Sequence, residues 1–87
     1  MGGTVVDPEI VVIARRIVVG SIAPYDGARE IWEQLAERDE PYPEVLAIFV
    51  GLASEWEDHE QHRPLYDRDI VNEARSLLER QTLAAGE

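Results

Sequence analysis

The sequence predicts an all-α protein: a small antiparallel four-helix bundle, one helical domain over 1–87 with an ordered core at about 8–80. Three observations predict it. Apolar residues recur at i, i+3, i+4 and i+7 in four separate stretches, the period of a helix face. Brief connections carrying Gly20, Pro24, Pro41, Pro43 and Pro64 separate them, and these residues stop or start helices. A length of 87 residues with 45% hydrophobic content supplies a single core and no second one.

The first helix opens at Asp7-Pro8-Glu9. Asp7 can cap, Pro8 suits the first helical position, and Glu9 complements the positive end of the helix. Ile10, Ile13, Ala14, Ile17 and Val18 then form one face, and Gly20 is placed to stop it. The β-branched runs Val11-Val12-Ile13 and Ile17-Val18-Val19 favour a strand. Arg15-Arg16 interrupts them where a helix would turn to solvent, so helix is the expectation.

The second helix starts at Pro24 with Asp26 in its first turn and ends near Arg38. Ala28, Ile31, Trp32, Leu35 and Ala36 form its apolar stripe, and Arg29, Glu30, Glu33, Gln34 and Glu37 its polar face. No useful i, i+4 ion pair is expected on that polar face, so packing must hold the helix. Asp39-Glu40-Pro41-Tyr42-Pro43 reads as a loop, because each proline drives its predecessor out of helical geometry.

The third helix begins about Pro43-Glu44 and is apolar nearly all round, from Val45 to Trp56, which predicts the most buried helix of the bundle. Gly51 costs about 1 kcal/mol against alanine in a helix interior, so close contact with another helix is expected there. Pro64 should end any helical run by about residue 62. The fourth helix is expected to start at Asp67 as N-cap, with Asp69 in the first turn and Tyr66 stapled onto Val71. Ile70, Val71, Ala74, Leu77 and Leu78 form its apolar face; Arg75 and Arg80 lie toward its negative end, and a short tail closes at Glu87. Trp32, Phe49 and Trp56 are expected to be major core contributors.

Composition narrows the function. Acids outnumber bases 18 to 8, a net charge of −10, which disfavours ordinary contact with nucleic-acid phosphates. Cysteine is absent, which excludes disulfides, thiolate metal sites and a cysteine nucleophile. No apolar run approaches the roughly 20 residues that span a bilayer, so no membrane contact is expected. The segment 1–7 has neither a basic n-region nor an apolar h-region, so no signal peptide is expected and a cytoplasmic protein is. The charge is also unevenly placed: residues 30–62 hold ten acids against Arg38, a net of −9. That middle third is either a solvated face or an acidic docking surface for a basic partner.

The chemistry-bearing residues offer little for catalysis. Glu55 and His59, and Asp58 and His62, stand four apart and can share a helix face. The run His59-Glu60-Gln61-His62 lacks the zincin spacing, and Glu-x-x-His pairs are missing, so no metal site is expected. Ser21, Ser54 and Ser76 have no nucleophile-elbow context, and a domain this small has little room for a cleft. The expectation is a protein that is no enzyme and carries no cofactor. Trp56 has two readings: burial in the core, or an interface anchor ringed by Glu55, Glu57, Asp58 and Glu60. These five residues are the candidate partner-binding site.

Ile13-Ala14-Arg15-Arg16-Ile17 followed by Gly20-Ser21-Ile22 resembles the opening of the colicin D-type immunity proteins of bacteria. The apolar stretch Leu46 to Trp56, the acidic bend through Glu60, and Asp69-Ile70-Val71 to Leu78 follow in the family's order. The likeness covers residues 10–80 as hydrophobic pattern and spacing. It implies a small, acidic, all-α antitoxin whose toxin-facing surface falls on Glu55, Glu57, Asp58 and Glu60. Two classes of function stay open. One is an immunity protein that covers the basic nucleolytic site of a toxin by charge complementarity, acting as a monomer or weak homodimer. The other is a structural or regulatory helical module, homodimeric in one form, whose acidity serves solubility only.

Overall fold

The computed structural model describes residues 8–38, 42 and 44–85, with side chains placed as far as Gln81. The chain forms α1 (Pro8–Val19), α2 (Pro24–Glu37), α3 (Glu44–Asp58) and α4 (Arg63–Ala85), with a single 3-10 turn, Glu60–His62, before α4. Among the described residues there is no strand. The fold is thus an all-α four-helix bundle. The β-branched first segment is helical: its isoleucines Ile10, Ile13 and Ile17 all reach the core from one side of a helix, which a strand would split between two faces.

Gly20 ends α1 with φ +84°. Its N–H donates to the Ile17 carbonyl at 3.3 Å and the Ser21 N–H donates to the Arg16 carbonyl at 3.0 Å. This pair of bonds satisfies carbonyls that the helix end would otherwise leave open. Pro24 starts α2 four residues later, and Arg38 closes it by donating its backbone N–H to the Leu35 carbonyl. Asp7, the loop residues Asp39, Glu40, Pro41 and Pro43, and the tail at Glu87 lie outside the described residues.

The core is aliphatic apart from one ring. Ile10, Ile13, Ala14 and Ile17 come from α1; Ala28, Ile31 and Leu35 from α2; Leu46, Phe49 and Ala53 from α3; Ile70, Ala74 and Leu77 from α4. No polar or charged residue is buried among them. Each of α1 and α3 packs against both α2 and α4, α2 also touches α4, and α1 and α3 stand on opposite corners. The start of α2 lies against the end of α1, with Ile17 packed over Gly27, and the start of α2 also meets the end of α3 at Tyr25 and Trp56. Helices adjacent around the bundle are therefore antiparallel, α2 and α4 run parallel across its diagonal, and the end of α1, the start of α2, the end of α3 and the start of α4 gather at one pole.

Four expectations need correction. The third helix is not the most buried: Ile48 is 39% exposed and Gly51 is exposed, because α3 occupies a corner and turns one side outward. Close packing is found at Gly27 instead, where a Cβ would collide with the Ile17 side chain, while a Cβ on Gly51 would meet nothing within 4 Å. Only Phe49 of the three large rings is fully buried; Trp32 and Trp56 are half-buried at the margin. Finally, α4 starts at Arg63, so Pro64 opens a helix, and Asp67, Asp69 and Tyr66 stand inside it rather than at its cap. The same helix runs on to Ala85, which leaves Arg80 short of its last turn. A pairing that the polar face of α2 was not expected to make is also present, Arg29 with Glu33 at 3.8 Å, although exposed pairs of this kind add only about 0.3–0.5 kcal/mol.

Candidate functional site

The five residues singled out by sequence gather at the pole where α3 ends. Glu55, Trp56, Glu57 and Asp58 form the last turn of α3, and Glu60 begins the 3-10 turn. The four carboxylates are all exposed, Glu60 to 81% of its side chain and Glu55 to 51%. Trp56 differs: it is half-buried and tied to two other elements of the pole, α2 and α4.

Its ring is covered on both faces. The Tyr25 ring, from the start of α2, stacks on it with centroids 4.0 Å apart and planes within 14°. The Arg63 guanidinium, from the start of α4, lies 3.9 Å from the same centroid. A guanidinium and a phenol ring this close to one centroid occupy opposite faces, since one face has room for one of them. At the edge, Trp56 Nε1 donates to Asp67 Oδ1 at 2.8 Å. Stacking, cation–π attraction and a charge-assisted hydrogen bond thus converge on one indole. The arrangement is a clamp that joins the start of α2 and the first two turns of α4 to the end of α3.

Two further contacts tie the carboxylates to this clamp. The Tyr25 hydroxyl donates to Glu57 Oε2. That bond and the adjacent negative charge raise the Tyr25 pKa above its ordinary 10.0, with desolvation adding to them. Arg63 Nε donates to the Trp56 carbonyl at 3.0 Å, capping one of the open carbonyls at the end of α3. Its Nη1 reaches Glu60 at 3.9 Å. Glu55 stands 3.4 Å from His59 Nδ1, a pair that is ionic only when the imidazole is protonated. Asp58 has no hydrogen-bond or ion-pair partner among the described residues.

Asp58, His59, Glu60, Gln61 and His62 also line an open depression of about 360 Å³. Only polar residues line it and it is open to solvent, unlike the apolar enclosure of a small-molecule site. Among the described residues, no group of three or more histidine, aspartate or glutamate side chains could hold a metal ion. No helix among them is long and apolar enough to cross a membrane. No family model, curated protein or solved structure matches the chain.

Sequence reasoning missed Tyr25, Arg63 and Asp67. The available signal was the indole N–H of Trp56, which needs a partner wherever the ring is half-buried. Finding that partner required the register between α3 and α4, which the early start of α4 sets.

Proposed function

We propose that this chain is a cytoplasmic bacterial binding protein of the immunity type, not an enzyme, whose acidic pole covers the basic nucleolytic site of a toxin. One observation carries the reading. Glu55, Glu57 and Asp58 fill the last turn of α3, and that turn holds no basic residue. The carbonyl end of a helix is its negative pole, so the helix field acts against each exposed carboxylate there by about 0.3–1 kcal/mol. A need for solubility accounts for negative charge somewhere on the surface; it does not account for concentrating it where the helix is least tolerant of it. A cationic partner reverses the sign of that interaction, because the carboxylates and the helix field then attract the same ligand.

The clamp supports the same reading. It holds the end of α3 against α2 and α4, so the carboxylates sit on a fixed platform and less side-chain ordering is required on binding. The covered faces of Trp56 leave the carboxylates as the groups a partner meets. Nucleic acid would be repelled, and basic protein surfaces that normally hold phosphates would be attracted.

Capture of the partner from the source cell, followed by affinity measurements on two charge-reversed variants, tests the proposal. Asp58→Lys with Glu60→Lys changes the pole, leaves the contacts of Trp56 with Tyr25, Arg63 and Asp67 in place, and removes from the clamp's surroundings only the exposed 3.9 Å contact of Glu60 with Arg63. Glu30→Lys with Glu37→Lys makes the same change in net charge on the exposed side of α2. The first should weaken binding by about 2 kcal/mol or more and the second by far less. Equal effects would mean that net charge alone matters, and the acidic pole would lose its role.

A further inference from the structure

The outward side of α3 carries a second feature. Glu44, Ile48, Gly51, Glu55 and Asp58 recur at helical spacing and are all exposed, so they form one solvent-facing stripe. No described residue covers its centre: a Cβ at Gly51 would meet nothing within 4 Å. A single exposed isoleucine is ordinary on a protein surface. A glycine one turn beyond it, in the interior of a helix, is not. Gly51 weakens α3 without serving a turn, a positive φ or a close contact with any described residue. Ala47, Val45 and Leu52 flank the stripe half-buried, so its middle is apolar, while Glu44 bounds it at one end and Glu55 and Asp58 at the other. An apolar centre with a charged rim is the anatomy of a protein interface.

We infer that this stripe is a docking face for a basic amphipathic helix of the partner, which crosses α3 at Gly51 and rests an apolar side chain against Ile48. The missing Cβ lets the incoming backbone approach more closely than any other residue on the stripe would allow. Glu44 and Glu55 are eleven positions apart, a rise of about 16 Å, and the partner's cations must match that span. A second copy of this chain fits poorly. Laid face to face on the stripe in either direction, it would set carboxylates against carboxylates at both ends. The inference rests on the basic-partner reading above and extends the contact from the end of α3 along its side.

The test uses the full chain, isotopically labelled, and a synthetic peptide. The peptide is a helical segment of about 18 residues with leucine and alanine on one stripe and arginines bracketing it about 16 Å apart. Amide shifts should centre on Ile48–Gly51 and extend to Glu44 and Glu55, and a peptide with glutamates in place of the arginines should cause none. Gly51→Gln should weaken the peptide about tenfold or more while raising the melting temperature, because glutamine is the better helix former. A Gly51→Gln variant that melts lower would show the face to be covered by this chain's own segments, and would overturn the inference. So would full affinity in that variant, concentration-dependent dimerisation lost in it, or no binding of the arginine peptide to the wild type. Loss of binding in the Asp58→Lys, Glu60→Lys variant together with full affinity in Gly51→Gln would overturn the α3 face alone and leave the acidic pole standing.

Discussion

Trp56 spends its whole ring on intramolecular contacts, with Tyr25 on one face, Arg63 on the other and Asp67 at the nitrogen. Of the two readings of Trp56, core burial and partner anchor, the geometry matches neither fully: the ring is engaged within the chain at the margin of the bundle, and the surrounding acids are left exposed. The Trp56–Asp67 bond should be measurable by a double-mutant cycle. Trp56→Phe and Asp67→Ala should each destabilise, and the pair should fall short of additivity by about 1 kcal/mol in urea unfolding. Strict additivity would mean that the bond contributes nothing. Tyr25 gives a pH signature. Its folded-state pKa is raised above 10.0, so the folded protein holds this proton more tightly than the unfolded chain does. The resulting stability is full below about pH 10 and is lost as pH rises through the folded-state value. Tyr25→Phe should flatten that alkaline decline in urea midpoints measured across the range, and an unchanged decline would assign it to other groups.

The helices themselves could largely be read from periodicity, and for a physical reason. The buried positions of α1 all lie on the predicted stripe, as do Ala28, Ile31 and Leu35 of α2, whereas Gly27 is buried off that stripe and Ala36 on it is exposed; Gly20 stops α1 where its φ freedom allows. The misreadings of burial came from long-range packing, and that of Pro64 from a local ambiguity. Whether a glycine inside a helix is a contact point depends on what stands opposite it, which places Gly27 in the core and Gly51 in solvent. Pro64 could equally end one helix or open another, and the 3-10 turn before it decided for opening. The two glycines should answer alanine substitution oppositely. Gly51→Ala should raise stability by about 0.5–1 kcal/mol. Gly27→Ala should lower it by about 1 kcal/mol net, since forcing a methyl against the packed Ile17 outweighs the helix-propensity gain. Phe49→Ala, at the one fully buried ring, should cost about 3–5 kcal/mol in the same assay. A Phe49→Ala protein that melts like the wild type would contradict the placement of the core.

Taken as a whole, the molecule separates apolar burial and charge in space. Stability resides in a core, aliphatic apart from Phe49, in which no described polar or charged residue is buried, and most of the excess charge lies in residues 30–62, which include the pole and outer side of α3. The charge asymmetry was visible in sequence; the clamp that fixes the pole was not, because Tyr25, Trp56, Arg63 and Asp67 come from three helices. If the pole exists to attract a cationic surface, long-range attraction should govern how fast the partner is found. The association rate with the captured partner, followed by stopped flow from about 20 mM to about 500 mM salt, measures this directly, since the screening length shrinks from beyond 20 Å to below 5 Å over that range. The account predicts a rate that falls by about tenfold or more while dissociation changes little. An association rate independent of salt would contradict it.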